Sequence, residues 1–397
     1  MVDASDVFWQ HNAKTLQRLT VEGLKSIRDS ISLEIRPLTV LCGTNSSGKT
    51  SALQALLLLK QTAESTYDGG PLLLSGDQVY FTETRQLLWS GNPAPSQHFR
   101  VRCDLTDVHF ELTFDVDEEG LPRIVKAEGL GARWPDGDDL ELTASRMEIK
   151  AIDLGPRFPA SQTICKSAWI APWIHVAGLR GVPSRTYPVT GTGPFFPGRF
   201  SPYVASIVAR WRSAADPRVE VLGAWLARLG LSDRIDANRA NSAALEVRVA
   251  RTMGGDQMVS LVDVGFGVSQ VLPVLVALLA ATSDHLVIVE QPELHLHPRA
   301  QAALADILVE ASKNGRRIII ETHSAILLRR LQTLVAKDEL PPEELALHWF
   351  SRDAEGVTRV DTVQLDERGA YGDWPEDFSE VEAEVDGAYI DAATAKL

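Results

Sequence analysis

Apolar and polar residues alternate in several short runs of the chain, and this period of two predicts β-strands. Near the N-terminus, residues 16–24 (LQRLTVEGL) and 30–35 (SISLEI) predict an antiparallel pair, and residues 38–42 (LTVLC) predict a buried third strand. Turn residues separate four further runs between residues 98 and 154, which are FRVRCDL, VHFELTFDV, RIVKAEGL and ELTASRMEIKAIDL. They predict an antiparallel meander that extends the first sheet.

Other segments have the helical period. SALQALLLLKQT, which begins at Ser51, predicts one helix, and residues 204–214 (VASIVARWRSA) and 219–231 (VEVLGAWLARLGL) predict two more in a small lobe. Residues 285–290 (HLVIVE) and 316–322 (RRIIIET) are nearly continuous apolar runs, typical of parallel strands that are covered on both faces. The pattern therefore predicts an α/β fold with a parallel core, an antiparallel β lobe and a small helical lobe.

Composition places the chain among ordinary globular proteins. It has 397 residues, of which 45% are hydrophobic, enough for one large core or two modest ones. The three cysteines, Cys42, Cys103 and Cys165, are too few and too scattered for a disulfide framework or a thiolate metal site. We found neither a secretion signal nor an apolar window of membrane-spanning length, so we expect a cytoplasmic protein without a membrane partner.

Charge is unevenly distributed. The formal net charge is -14, but residues 351–397 alone hold 13 Asp and Glu against 4 Lys and Arg. The acidic balance argues against a broad nucleic-acid surface, because phosphate binding needs clustered cations. A local basic groove on the rest of the chain remains possible, so DNA is kept as an open alternative.

A phosphate-binding loop follows the third predicted strand. GTNSSGKT matches G-x-x-x-x-G-K-[ST] and stands between a buried strand and a helix, as the mechanism requires. We expect backbone N–H groups and Lys49 to hold the ATP phosphates, and the Thr50 hydroxyl to bind Mg²⁺. The predicted nucleotide-binding residues of this loop are Gly43, Thr44, Asn45, Ser46, Ser47, Gly48, Lys49, Thr50 and Ser51.

An acidic residue closes a later core strand. Glu290 follows four apolar residues, and we predict that it joins Thr50 in the magnesium shell. Gln291 stands next, at a position where ATPases of the ABC type usually carry a glutamate that polarises the attacking water. Since an amide cannot accept the proton, we expect slow hydrolysis, or a different base such as Glu293.

Three histidines lie near these acids. Glu293, His295 and His297 have a spacing that could suit a metal, but no further ligands are evident and we discount such a site. His323 follows the strand RRIIIET and is a candidate to reach the γ-phosphate. Ser324 is the predicted N-cap of the next helix.

The order of motifs resembles the ABC-type ATPases of the RecF, SMC and OLD (overcoming lysogenisation defect) group. The resemblance rests on GTNSSGKT, VGFGVSQ (264–270), VIVEQPELHLHP (287–298) and ETHS (321–324). Within this group, the chain resembles stand-alone bacterial OLD-like ATPases with a C-terminal domain of unknown function. The segments that carry this resemblance are NSSGKTSALQALLLLKQT, VGFGVSQVLPVL and GAYGDWPEDF. The resemblance implies an ABC-type P-loop NTPase with a RecA-like parallel core.

The resemblance also implies a head-to-head dimer, or a higher even oligomer, with ATP between the P-loop of one subunit and a signature motif of the other. VGFGVSQ is a degenerate signature, in which Gly265, Gly267 and Ser269 would bind the γ-phosphate. As an alternative, this segment is only the beginning of a buried helix.

Two arginines upstream of this segment are further candidates. Arg180 and Arg185 are either arginine fingers or surface residues. Only 74 residues follow His323, and the late acids in EDFSEVEAEVD have no apolar strands that could place paired carboxylates, so we expect no TOPRIM nuclease.

We therefore divide the chain into an N-terminal ATPase lobe (14–180), an irregular segment with a helical lobe (181–282), a return to the core (283–340) and an acidic C-terminal domain (341–397). The leading hypothesis is an ATP-dependent dimeric switch that controls a protein effector in phage defence or DNA metabolism. One alternative is an ATP-bound scaffold that does not hydrolyse, favoured by Gln291. Another is a DNA clamp of the recombination type.

Overall fold

The structure is a computed structural model, and it describes residues 15–65, 72–91, 95–106, 109–129 and 172–371, together with residues 387, 388 and 394. The predicted strand ELTASRMEIKAIDL, Cys165 and the acidic run EDFSEVEAEVD lie outside these residues. Within them, none of the helices is long and apolar enough to cross a membrane.

The strands of the described chain are β1 (Leu16–Glu22), β2 (Ile31–Glu34), β3 (Leu38–Gly43), β4 (His98–Leu105), β5 (His109–Val116), β6 (Pro122–Gly129), β7 (Trp173–Val176), β8 (Tyr187–Pro188), β9 (Ile235–Arg239), β10 (Ala244–Ala250), β11 (Met258–Ser260), β12 (Leu286–Glu290), β13 (Arg317–Glu321), β14 (Leu345–Arg352) and β15 (Thr358–Val363). The helices are α1 (Lys49–Glu64), α2 (Val204–Ser213), α3 (Arg218–Arg228), α4 (Phe266–Ala280), α5 (Pro298–Lys313) and α6 (Ala325–Ala336). Short 3-10 turns span Thr84–Leu87, Ser201–Tyr203, Leu261–Asp263 and Pro342–Glu344.

A six-stranded sheet forms the centre, in the order β15-β14-β3-β13-β12-β7. All its neighbours are parallel except β15, which pairs antiparallel with β14 at one edge. Strand β13 lies between β3 and β12, so the strand that leads into the phosphate loop is not adjacent to the strand that ends at Glu290. HLVIVE and RRIIIET are parallel strands, as predicted, and the structure pairs them with each other.

The predicted antiparallel lobe is a second sheet, in the order β2-β1-β4-β5-β6. Strands β1 and β2 pair as predicted, and the described part of the meander extends the same sheet. Strand β9 pairs with β10, and β8 and β11 flank β10 in a small third sheet beside the helical lobe.

Alternate side chains of the central sheet enter two different cores, as expected for a sheet buried on both faces. Val40 and Ile320 belong to a core shared with the helical lobe, α5 and α6. Leu41 and Ile319 belong to a core shared with α1 and the antiparallel sheet. Because both faces are covered, only the strand ends remain open for chemistry.

The last segment corrects the predicted boundary at residue 341. Strand β14 pairs with β3 in parallel, and β15 closes the sheet beside it, so residues 345–363 are part of the central sheet. The predicted boundary was based on the acidic residues, which lie mainly in residues 366–397, after the two strands. Strand β14 itself is almost fully buried.

Candidate functional site

The phosphate loop joins the end of β3 to the start of α1. Gly48 precedes the helix with φ 106°, and a Cβ there would lie 2.3 Å from Thr358 Oγ1, so only glycine suits the position. Helix α1 has no side-chain cap and no acidic residue in its first turn. Its first N–H groups therefore stay available for an anion, which the helix dipole also favours.

Lys49 is folded into this loop. Its side chain is 3% exposed, and Nζ donates to the carbonyls of Gly43 (3.1 Å) and Thr44 (2.7 Å) and to Ser47 Oγ (3.3 Å). Burial lowers the pKa of this ammonium, while the negative charge of Glu321 opposes the change. The predicted phosphate lysine thus lies at the concave side of the loop.

Glu321 is a site residue that the sequence reasoning passed over. It ends β13, is 3% exposed, and lies opposite Leu41 on one side and Glu290 on the other. Thr50 Oγ1 lies 2.8 Å and 3.0 Å from its two carboxylate oxygens. Burial raises the pKa of Glu321 to about 7, with the charge of Glu290 acting in the same direction and the Thr50 hydrogen bond opposing. A carboxylate at the end of a core strand was the available signal, but ETHS was interpreted only for its histidine.

Glu290 has other partners. One carboxylate oxygen lies 3.0 Å from Nε2 of the fully buried His175, and the other accepts a hydrogen bond from the backbone N–H of Gly178 (3.0 Å). Burial raises the pKa of Glu290, but these hydrogen bonds outweigh it and the pKa is lowered overall. Glu290 is therefore held as a carboxylate by β7, one strand further from Thr50 than Glu321.

Gln291 stands in a strained turn. Its φ is 44°, and its N–H donates to the Glu321 carbonyl (2.7 Å). Arg180 Nη2 donates to the carbonyls of Glu290 (2.6 Å) and Gln291 (3.0 Å), and its Nε and Nη1 are buried without a partner among the described residues. Burial lowers the pKa of Arg180 to about 10, although the charges of Glu293 and Glu290 oppose this.

The two arginines thus differ in placement. Arg180 is partly buried and packs against the strand end at 290–291. Arg185 does lie at the surface, with its side chain 69% exposed and paired with both carboxylate oxygens of Asp263 at 2.8 Å and 3.0 Å. Asp263 immediately precedes the predicted signature segment.

His323 reaches the phosphate loop. Burial lowers its pKa, the nearby charge of Lys49 lowers it further, and a hydrogen bond with the Gly43 carbonyl opposes both. Glu293 Oε1 fixes the same turn by accepting from Thr322 Oγ1 (2.7 Å) and the His323 N–H (2.9 Å). Ser324 caps α6, as predicted, by accepting from the N–H of Leu327 (3.0 Å).

The two histidines of the discounted metal site make local contacts. His297 is the N-cap of α5 and accepts from the Arg299 N–H (3.3 Å). The His295 ring lies 6.0 Å from the exposed Phe266 ring. In the part of the chain that the structure describes, no group of three His, Cys, Asp or Glu side chains could enclose a metal ion.

The predicted signature segment opens helix α4. Gly265 is the N-cap, and a Cβ there would meet nothing within 4 Å. Ser269 is 9% exposed and donates to the Phe266 carbonyl (2.9 Å), so its hydroxyl is used within the first turn. Gly267 lies against the His295 carbonyl. The helix is buried from Val268 onward, but its N-terminus is open.

Two family models and two curated proteins match parts of the chain. Residues 15–150 match the family model "AAA ATPase domain", and residues 192–329 match "AAA domain, putative AbiEii toxin, Type IV TA system". The chain is 25% identical to the OLD nuclease of Thermus scotoductus (strain ATCC 700910 / SA-01) over 345 residues, which is 78% of this chain and 59% of that protein. A 46-residue stretch, 12% of this chain and 8% of the relative, is 44% identical to the Old nuclease of Escherichia phage P2. The chain therefore spans less than two thirds of these relatives.

Solved structures show the same fold. An SMC head bound to the C-winged helix domain of ScpA matches with a TM-score of 0.56 and 14% identity, covering 89% of this chain and 98% of that one. An SMC head with an extended coiled coil, bound to the C-terminal domain of ScpA derived from Pyrococcus furiosus, matches with a TM-score of 0.51 and 12% identity, covering 88% and 96%.

Proposed function

We propose that this chain, which matches models of AAA ATPase domains and is similar to an OLD nuclease in sequence and to SMC heads in fold, binds Mg·ATP and acts as a dimeric, nucleotide-dependent switch for a protein partner. The observation that supports this best is the meeting of the phosphate loop, two strand-end carboxylates and His323 at one edge of the parallel sheet.

The triphosphate would lie across the N-terminus of α1. The uncapped first turn and the Lys49 ammonium supply the positive potential, since both face the loop that Gly43 and Gly48 allow to turn tightly. His323, which contacts Gly43, would meet the terminal phosphate from the adjoining strand. The chain thus provides donors on two sides of the phosphates.

Magnesium fits the donor set at this edge. Thr50 offers a hydroxyl and Glu290 a carboxylate, both oxygen ligands that Mg²⁺ prefers, and Glu321 places a second carboxylate beside Thr50 at the neighbouring strand end. The protein groups alone are too few for a complete shell, so the ion would enter with the phosphate oxygens of the nucleotide. When bound, Mg²⁺ would neutralise phosphate charge.

Hydrolysis would be slow. Gln291 cannot take a proton from water. Glu293, the other candidate base, already uses Oε1 to hold Thr322 and His323, which leaves only its buried Oε2. Arg180 holds the carbonyls of Glu290 and Gln291 and so positions the turn next to the reacting phosphate.

The dimer is supported by an exposed apolar surface beside the α4 N-terminus. Leu179, Val182 and Phe266 are 82%, 79% and 52% exposed. Gln270 Nε2 donates to the Gly181 carbonyl (2.9 Å), and Arg185 pairs with Asp263, so the loop and the helix start form one surface. Such a patch next to an open helix N-terminus suits contact with the nucleotide-bearing edge of a second copy.

Relatives suggest the kind of partner. One SMC head of this fold is bound to a domain of ScpA, and the longer relatives are named nucleases. We therefore propose that the ATP-bound dimer controls a separate protein effector, in phage defence or DNA metabolism. A pull-down with and without ATP tests this, since a partner retained equally in both states contradicts a switch.

Two alternative functions predict different experimental results. A non-hydrolysing scaffold is favoured by Gln291, and it predicts ATP binding and dimer formation without turnover. A DNA clamp predicts ATP-dependent and salt-dependent DNA binding. Turnover, light-scattering mass and DNA binding, each measured with and without ATP and magnesium, separate the three.

A further inference from the structure

We infer that Glu321 is the positioning residue for the magnesium ligand Thr50, and that its charge makes nucleotide binding depend on the metal. This inference rests on the proposed function, because it concerns the same nucleotide site. It assigns a second carboxylate, on the strand between β3 and β12, to a metal shell that the sequence motif attributed to Glu290.

The contact between the two residues is fixed by the fold. Glu321 is anchored through its backbone, since its carbonyl accepts the Gln291 N–H at 2.7 Å and its strand pairs with both neighbours. The side chain is 3% exposed and lies against Thr50 Oγ1 at 2.8 Å and 3.0 Å. A buried carboxylate with few alternative positions therefore defines where the Thr50 hydroxyl proton points.

The orientation of that proton matters for metal binding. A neutral hydroxyl has one proton and two lone pairs, and it binds a cation only through a lone pair. Because Glu321 accepts the proton, the lone pairs of Thr50 are turned away from the carboxylate and kept free for the metal. A carboxylate behind a metal ligand also makes that ligand more basic.

Charge is the second effect. Glu321 and Glu290 lie opposite each other at the strand ends, close to where the terminal phosphates would bind. Without metal, a triphosphate would be repelled by these carboxylates, and only Lys49 and the uncapped start of α1 would offset the repulsion at the loop. With Mg²⁺ the repulsion becomes attraction, so the site should prefer Mg·ATP strongly over free ATP.

A purely structural role for this hydrogen bond predicts a different result. If the contact only fastened α1 to β13, its loss would lower the free energy of unfolding and weaken metal-free and metal-bound nucleotide to the same extent. If the inference is right, the affinity for the magnesium complex falls while the metal-free affinity does not. The ratio of the two dissociation constants is therefore the quantity that decides.

The experiment is calorimetric titration of full-length protein with ATPγS, in magnesium buffer and in EDTA. For Glu321→Gln we expect an affinity for the magnesium complex roughly tenfold lower than in wild type, and metal-free affinity equal or higher. Glu321→Asp keeps the charge but shortens the reach, so it should lose affinity for the magnesium complex and still repel metal-free nucleotide. Glu343→Gln, an exposed residue with the same chemical change, serves as the control and should match wild type.

The possible outcomes are distinct. Wild-type protein that binds no nucleotide in either buffer refutes the proposed function itself. Wild-type binding with an unchanged ratio in Glu321→Gln overturns only the present inference. If Glu321→Gln does not fold, the affinities of Glu321→Asp test the inference instead. Metal binding is then measured without any turnover by replacing Mg²⁺ with Mn²⁺ and recording electron paramagnetic resonance spectra. Equal Mn²⁺ uptake by Glu321→Asp and wild type in the presence of ATPγS also contradicts it.

Discussion

The Thr358 hydroxyl donates a hydrogen bond to the carbonyl of Ser47 (2.8 Å), so the first residue of β15 holds the phosphate loop from 311 positions away. Its oxygen also lies 2.9 Å from Ser26 Oγ, and its N–H donates to the Ser26 carbonyl (2.8 Å). Three segments that are distant in sequence thus share one small buried contact. The segment assigned to an acidic C-terminal domain therefore contacts the phosphate loop.

We predict that Thr358→Val weakens nucleotide binding without direct contact to the nucleotide. Valine keeps the shape but leaves the Ser47 carbonyl without its donor, which should cost about 1–3 kcal/mol in the free energy of unfolding. Denaturant titration and calorimetry with ATPγS measure the two effects. Thr333→Val, which removes a hydroxyl bonded only within α6, is the control and should leave nucleotide affinity unchanged. Unchanged affinity in Thr358→Val would show that the contact is not needed to shape the loop.

Gly48→Ala should abolish nucleotide binding. The residue has φ 106°, and the new methyl group would lie 2.3 Å from Thr358 Oγ1, so strain of about 1–3 kcal/mol adds to a steric clash. Gly315→Ala is a matched control, because φ there is 81° but a Cβ would meet nothing within 4 Å. The control should be destabilised and still bind nucleotide. Tight binding by Gly48→Ala would mean that the loop has a different conformation.

Lys49→Ala should lose ATP affinity and keep the fold. The lysine is buried only against the carbonyls of its own loop, so its removal takes away the phosphate contact and leaves both hydrophobic cores intact. Calorimetry measures affinity, and circular dichroism measures the fold. Lys337→Ala, at an exposed position after α6, is the control. Wild-type affinity in Lys49→Ala would refute the proposed site.

Gln291→Glu should speed hydrolysis. It restores a proton acceptor beside the strand end at Glu290, and a general base contributes about 10²–10⁴-fold to a rate. Phosphate release measures turnover, and the double variant with Lys49→Ala should remain inactive. Turnover that appears only in Gln291→Glu favours the scaffold function for the natural chain, whereas no change in rate means that the acceptor lies elsewhere.

Phe266→Asp should prevent ATP-dependent dimer formation and leave nucleotide affinity unchanged. The side chain is 52% exposed at the open start of α4, so a charge there would be buried against the second copy at a high desolvation cost. Light scattering with ATP and magnesium measures the mass. Met253→Asp, with an exposed fraction of 48%, tests whether any new surface charge has this effect. A dimer of unchanged stability in Phe266→Asp would place the interface elsewhere.

Much of the fold follows from local sequence patterns. The alternation in residues 16–24 and 30–35 predicted β1 and β2, and the continuous apolar runs predicted the parallel pair β12 and β13. The phosphate loop was found by its spacing, because glycines and a lysine between strand and helix have few other uses. In each case the signal lies within one short segment.

The order of the strands in the central sheet could be read only from the tertiary structure. Period and composition report whether a strand is buried, but not which strand lies beside it. The motif suggested that Glu290 faces Thr50, whereas the parallel register places Glu321 there, with β13 between the two. The same reason explains why His175 was missed, since its partner Glu290 lies 115 positions later.

The sequence by itself determined several of the strands and helices, the position of the phosphate-loop motif, and that an amide instead of a carboxylate stands at Gln291. Only the tertiary structure decided which carboxylate meets Thr50, that Arg180 is packed against Gln291, and that β14 and β15 complete the core. The physical reason is that backbone periodicity is a local property, whereas these contacts depend on how distant apolar surfaces pack together and bring the strand ends to one edge.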